Sequence, residues 1–221
     1  MAAVNRCKPD LAGFVIVPGR KRYVSPAEVA SLRKALDPGV RAVGVFVDEE
    51  ISVVAELLTG GIIDIAQLHG NESEEYIRDL RAAIKKANDV RAAAADGCSN
   101  RAKQTKKDLR KCEEPQDVGK VRIIKAFGIR NEEDVERAEK SSADLILLDT
   151  PGGGSGSAFD WEVLKKVQRP YILAGGLNCS NVGEAVTWLR PYGVDVSSGI
   201  ETDGVKDEVK MREFILNVRG E

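Results

Sequence analysis

The chain has 221 residues, with 33 Lys+Arg against 35 Asp+Glu, a net charge of -2, 43% apolar and 31% charged residues. This is the profile of one globular domain, and its near-balanced charge makes no electrostatic case for nucleic acid or an acidic membrane surface. No apolar run approaches the ~18 residues of a transmembrane helix. Residues 1–6 lack the apolar core of a signal peptide, and Cys7, Cys98, Cys112 and Cys179 show neither a CxxC pair nor metal spacing. They read as reduced thiols of a cytoplasmic protein.

Taken in order, the chain alternates strand and helix. Residues 2–7 read as the remnant of a helix. Residues 11–17 are a continuous apolar run stopped by Pro18-Gly19, a buried parallel strand. A basic loop containing Arg22 follows. Ser25-Pro26-Ala27-Glu28 then opens a helix with a capping serine, a proline at the first helical position and Glu28 completing a capping box. Residues 42–47 are the second strand. Its helix carries Ile51, Val54, Ala55 and Leu58 on one face and stops at Gly60-Gly61. Residues 65–68 form the third strand, which leads through His69-Gly70 to a helix capped by Ser73.

From about residue 84 to 120 the rhythm breaks into a stretch rich in Ala, Lys, Arg, Asp and Glu. It is expected to extend the preceding helix and then make a charged surface insertion, in the form of a helical hairpin. Order resumes with strand 121–127, a helix capped by Asn131, and strand 144–149. The loop Thr150-Pro151-Gly152-Gly153-Gly154-Ser155-Gly156-Ser157 suits a lid or a phosphate cradle, and a helix is expected from about residue 159. Strand 171–174, its helix, strand 194–197 and a last helix with Met211, Phe214, Ile215 and Val218 inward complete the chain.

Seven β-α units without a long linker mean one domain, residues 1–221, around a parallel sheet. Two turns discriminate between an open sheet and a barrel. Gly175-Gly176 and Ser197-Ser198-Gly199 end the last two strands with little side chain, so backbone N–H groups can approach an anion. That pair is the phosphate site of a (β/α)8 barrel. The expected fold is therefore a TIM barrel lacking the first strand and most of the first helix.

In a barrel the chemistry lies at the C-terminal ends of the strands. The polar residues there are Arg22, Asp48, Gln67, His69, Lys125 and Asp149. Asp149 leaves a dry strand directly into the mouth. Burial there suits a general acid, though the same position also fits a helix cap or an ion pair. Arg22 can clamp a carboxylate bidentately or stand as a solvated charge. His69, the single histidine, has no Ser or Cys partner nearby and is expected to serve structure or substrate packing. Lys125 alone carries little. Cys7 falls at the opposite, stable face.

The segments around Arg22 (residues 21–26), Gln67-Leu68-His69-Gly70, Leu147-Leu148-Asp149, Gly153-Gly154-Ser155-Gly156 with Phe159-Asp160-Trp161, Leu173-Ala174-Gly175-Gly176-Leu177-Asn178 and Val194-Asp195-Val196-Ser197-Ser198-Gly199-Ile200-Glu201 together resemble phosphoribosylanthranilate isomerase. The resemblance spans nearly the whole chain outside the insertion. It implies the cofactor-free Amadori rearrangement of N-(5'-phosphoribosyl)anthranilate in tryptophan biosynthesis, with a small phosphorylated substrate as the ligand. It makes Asp149 the match for the acid and Arg22 the match for the arginine on the anthranilate moiety. Gly175, Gly176, Ser197, Ser198 and Gly199 match the phosphate turns. The oligomeric state expected is monomer or homodimer, and no metal is expected.

Two departures stand out. The family opens on a strand reading roughly Lys-Ile-Cys-Gly, whose cysteine is the general base, and nothing here corresponds to it. The expectation is that Met1 is an internal methionine of a longer reading frame and that the chain as given turns over poorly. The lid also carries Ser157-Ala158 where the family commonly has Lys-Thr. Readings from other classes are a non-catalytic phosphate-binding barrel and another sugar-phosphate barrel, the second disfavoured by missing lysine- or metal-centred motifs.

Overall fold

A computed structural model describes residues 1–96, 122–150 and 161–220. Seven strands make one sheet: β1 (Leu11–Val15), β2 (Arg41–Phe46), β3 (Ile65–Leu68), β4 (Ile123–Gly128), β5 (Leu145–Asp149), β6 (Tyr171–Ala174) and β7 (Gly193–Val194). They lie in sequence order and every pairing is parallel. Each crossover carries helix: α2 (Pro26–Ala35), α3 (Ile51–Thr59), α4 (Glu74–Asp96), α5 (Glu132–Glu139), a 3-10 helix at Trp161–Lys166, and α6 (Val182–Leu189). Helix α1 (Ala2–Cys7) precedes the sheet and α7 (Glu208–Arg219) ends the chain.

Register sorts the side chains into two layers. Val43, Ile65, Ile124, Ala126, Leu145, Leu147, Ile172 and Ala174 alternate with outward residues and fill one inner cluster. The outward residues pack beneath the helices in two further clusters. The sheet curls far enough for the loop after β1 to meet the segment after β7 through Arg22 and Glu201. Below them, α1 packs on α7, with Arg6 donating to Glu208 and Arg219 to the Lys8 carbonyl. The seam between the two end strands is thus bridged at both ends. This is a TIM-type barrel sheet of seven strands.

Local chemistry explains the element boundaries. Ser25 and Glu28 form the expected capping box on α2, and Pro26 starts it. Asn131 caps α5, and Ser73 accepts from Tyr76 N at the start of α4. Asp207 caps α7 by accepting from Val209 N and Lys210 N, and Gly220 closes it at φ 72°.

Two elements differ from expectation. The last strand is two residues long rather than four. Asp195 N still bonds Leu173 O, but Ser197 leaves extended geometry at ψ -86° and the chain enters a 3-10 turn at Ser198–Ile200. The helix expected near residue 159 is a six-residue 3-10 helix, whose Trp161 packs on Trp188 at 6.0 Å between ring centroids. A short hairpin, β8 (Glu201–Thr202) and β9 (Val205–Lys206), was not anticipated. Helix α4 runs on to Asp96, as the composition suggested. The remainder of the insertion, and the glycine loop read as a lid or cradle, lie outside the described residues.

Candidate active site

The mouth is built by neighbouring strand ends. Asp149 pairs in register with Ala174, so the last residue of β5 stands beside the start of the Gly175-Gly176 turn. Gly175 adopts φ 92° and Gly176 φ 57°. A Cβ on Gly175 would collide with Thr150 O, and one on Gly199 with Leu177 O. Only glycine lets the three turns after β5, β6 and β7 interlock this closely. Asn181 fixes the middle turn by donating to Gly176 O at 3.1 Å, while its own Oδ1 accepts from Asn178 N at 2.8 Å.

His69 has a carboxylate neighbour that its surroundings in sequence did not suggest. Its Nε2 lies 3.5 Å from Asp149 Oδ2. Its Nδ1 lies 3.1 Å from Gln67 Nε2. An amide nitrogen only donates, so Nδ1 accepts and the ring proton is assigned to Nε2, facing Asp149. The histidine thus has a carboxylate partner supplied by another strand.

Lys125 does not reach the mouth. Its side chain is buried under the loop after β3, where Nζ donates to Glu72 Oε2 at 3.0 Å and to Gly70 O at 2.8 Å. Both side chains of this pair are buried, at 6% and 1% exposure. Glu72 also accepts from Asp48 N and Gly70 N at 2.8 and 2.9 Å. Asp48, another of the mouth candidates, accepts from Asn71 N. These contacts tie the loops after β2 and β3 together and hold the backbone on both sides of His69.

Arg22 does clamp a carboxylate, that of Glu201. Nε meets Oε1 and Nη2 meets Oε2, each at 2.8 Å. Hydrogen bonds from Arg22, reinforced by Lys206 and opposed by desolvation, hold the Glu201 carboxyl down at about 2. Lys206 Nζ lies 3.0 Å from Glu201 Oε1 and donates to Ser197 O at 2.7 Å.

Asp195 is a mouth residue that sequence reasoning passed over. Its position inside an obvious strand motif was the available signal. Its side chain keeps contact with solvent, yet the protein packed around it pushes its carboxyl up. His69, when protonated, opposes that shift, and the charge of Asp149 adds to it. Cys7 Sγ faces Glu208 O at the start of α7, and Cys179 Sγ faces Lys210 O. Burial pushes both thiols up. Among the described residues no group of three or more His, Cys, Asp or Glu is placed to hold a metal ion, and no helix is long and apolar enough to cross a membrane.

A curled parallel β/α sheet with interlocked glycine turns beside a strand-end carboxylate is the architecture of a TIM-barrel enzyme, with its candidate site at the C-terminal ends of the strands. Comparison narrows the class. The family model described as N-(5'phosphoribosyl)anthranilate (PRA) isomerase matches residues 2–112 and 110–217. The N-(5'-phosphoribosyl)anthranilate isomerase of Acetivibrio thermocellus is 37% identical over 98% of this chain and 88% of its own length. The crystal structure of phosphoribosyl anthranilate isomerase from Thermotoga maritima superposes with a TM-score of 0.76 at 32% identity, covering 100% of this chain and 93% of that one. A structure of the isomerase in complex with reduced 1-(o-carboxyphenylamino)-1-deoxyribulose 5-phosphate superposes at 0.73 and 32% identity, covering 100% and 92%. The chain belongs to the N-(5'-phosphoribosyl)anthranilate isomerase family, enzymes of tryptophan biosynthesis.

Proposed function

We propose that the mouth binds N-(5'-phosphoribosyl)anthranilate and rearranges it to 1-(2-carboxyphenylamino)-1-deoxyribulose 5-phosphate. The observation that carries this reading is the run of contacts from Asp149 through the interlocked turns to Arg22. It links Asp149, the tight glycine turns and Arg22, which supports reading them as an acid, an anion cradle and a carboxylate clamp. The 5'-phosphate sits against the backbone N–H groups of Gly175, Gly176, Ser197, Ser198 and Gly199. The anthranilate carboxylate meets Arg22. Asp149 protonates the ribose ring oxygen and opens the ring to a Schiff base. Loss of the C2' proton then gives an enolamine, which tautomerises to the ketone. His69 faces Asp149 and positions its carboxyl.

The finer reading is that the 221-residue chain by itself turns over slowly. The family resemblance places the base on a mouth cysteine, whereas the cysteines among the described residues, Cys7 and Cys179, both stand against α7. General acid–base catalysis contributes about 10²–10⁴-fold, so turnover at least ~10²-fold below that of the Thermotoga maritima enzyme is expected. That placement also keeps a second reading in view, a barrel that binds the phosphorylated ligand without turning it over. Conversion of N-(5'-phosphoribosyl)anthranilate is measured beside binding of the reduced product analogue. Slow conversion with tight binding supports the site reading. Full turnover overturns the slow-chain reading, and neither binding nor conversion overturns the site. Binding with conversion indistinguishable from the uncatalysed rate favours the second reading.

A further inference from the structure

We propose that Glu201 is a positioning residue which aims Arg22 at the substrate carboxylate and couples that end of the substrate to the phosphate end. The proposal rests on the reading of Arg22 as the carboxylate clamp and deepens it.

A guanidinium has five N–H donors in a rigid planar fork. Glu201 takes one donor from Nε and one from Nη2. This leaves both Nη1 donors and the second Nη2 donor, the opposite fork, for an incoming carboxylate. Arg22 is 40% exposed and Glu201 only 8%, so the anchor is fixed while the free edge faces outward. A long side chain on a surface loop loses rotamer freedom when it binds a ligand. Holding it beforehand reduces that cost.

The same carboxylate reaches the phosphate turn. Lys206 Nζ bridges Glu201 Oε1 and Ser197 O, and Lys210 Nζ donates to Glu201 O at 2.8 Å. Glu201 is also only two residues beyond Gly199. The buried carboxylate is therefore shared by two cations, Arg22 and Lys206, while Lys210 holds its backbone carbonyl, so Arg22 keeps its attraction for a second carboxylate although it is already paired. A displacement of Ser197 on phosphate binding is transmitted through Lys206 and Glu201 to Arg22.

The test is calorimetric titration of the full chain and its variants with two probes, reduced 1-(o-carboxyphenylamino)-1-deoxyribulose 5-phosphate and inorganic phosphate. Circular dichroism checks folding. Glu201→Gln is expected to weaken the analogue about 10-fold or more, the scale of hydrogen bonds to charged groups. It is expected to change inorganic phosphate less than about 3-fold, because the cradle amides remain. In an Arg22→Ala background, Glu201→Gln is expected to cost nothing further on the analogue. Lys206→Met leaves the Arg22–Glu201 pair in place and is expected to weaken both probes. Unchanged analogue affinity in Glu201→Gln beside a clear loss in Arg22→Ala overturns the proposal. So do additive losses in the double variant, and so does an unchanged phosphate affinity in Lys206→Met. If Arg22→Ala itself binds the analogue normally, the clamp reading fails and the proposal falls with it. Lys206→Met keeps the coupling testable if Glu201→Gln does not fold.

Discussion

His69 Nε2 and Asp149 Oδ2, brought from two different strands, stand 3.5 Å apart at the barrel mouth. Gln67 fixes the far side of the imidazole at 3.1 Å, so the ring presents its proton to the carboxylate. Replacing Asp149 by Asn keeps the shape and removes the proposed acid. Turnover is expected to fall a further ~10²–10⁴-fold while the reduced product analogue binds within a few-fold of the parent chain. His69→Asn is expected to lose less, because it removes a neighbour of the proposed acid and leaves Asp149 in place. Steady-state rates together with calorimetric affinities check both.

The interlocked turns make a second prediction. Gly175→Ala forces a Cβ into Thr150 O at φ 92°, and Gly199→Ala forces one into Leu177 O. Each is expected to destabilise the fold by more than ~1 kcal/mol and to abolish measurable phosphate binding. Gly128→Ala meets nothing within 4 Å and serves as the control, with phosphate binding intact. Urea unfolding and phosphate titration of the three variants decide it.

Lys125 and Glu72 form a buried pair, so breaking it on one side strands a charge. Lys125→Met is expected to cost about 3–5 kcal/mol of stability. The double variant Lys125→Met/Glu72→Gln is expected to recover part of that, because no unpaired buried charge remains. Denaturant unfolding of the parent, both single variants and the double variant measures the coupling.

Stability against acid carries the imprint of Glu201. Its folded carboxyl is held at about 2, below the ordinary glutamate value of 4.5. A depressed folded value stabilises the native state above the unfolded value and is lost as pH falls toward the folded one. The contribution is therefore full above about pH 4.5 and disappears between there and about pH 2. It is expected to be roughly 2 kcal/mol, reduced from the full shift because the partner Arg22 is partly exposed and screened. Urea midpoints followed from pH 6 to 2 are expected to fall more steeply for the parent chain than for Glu201→Gln.

The strands were legible in the sequence because buried parallel strands are continuous apolar runs between glycine, proline and capping residues. The tight turns after β6 and β7 were legible because Gly175-Gly176 and Ser197-Ser198-Gly199 carry little side chain. Three features were hidden, all of them long-range pairings. Local spacing places Lys125 at a strand end but does not show its pairing with Glu72. His69 lacked a partner only when sought nearby in sequence, since Asp149 arrives from two units further on. Glu201 closed a recognisable motif, yet its role depends on Arg22, 179 positions earlier. The shortened last strand follows from the turn geometry at Ser197, which apolar patterning does not register.

The most direct test of the site is a crystal structure of this chain with reduced 1-(o-carboxyphenylamino)-1-deoxyribulose 5-phosphate bound. The expected result places the phosphate within hydrogen-bond distance of backbone N–H groups in the Gly175-Gly176 and Ser197-Ser198-Gly199 turns. The aromatic carboxylate lies on the free edge of Arg22, and Asp149 stands against the sugar-derived chain. A phosphate bound away from both turns, or a carboxylate without contact to Arg22, would contradict it.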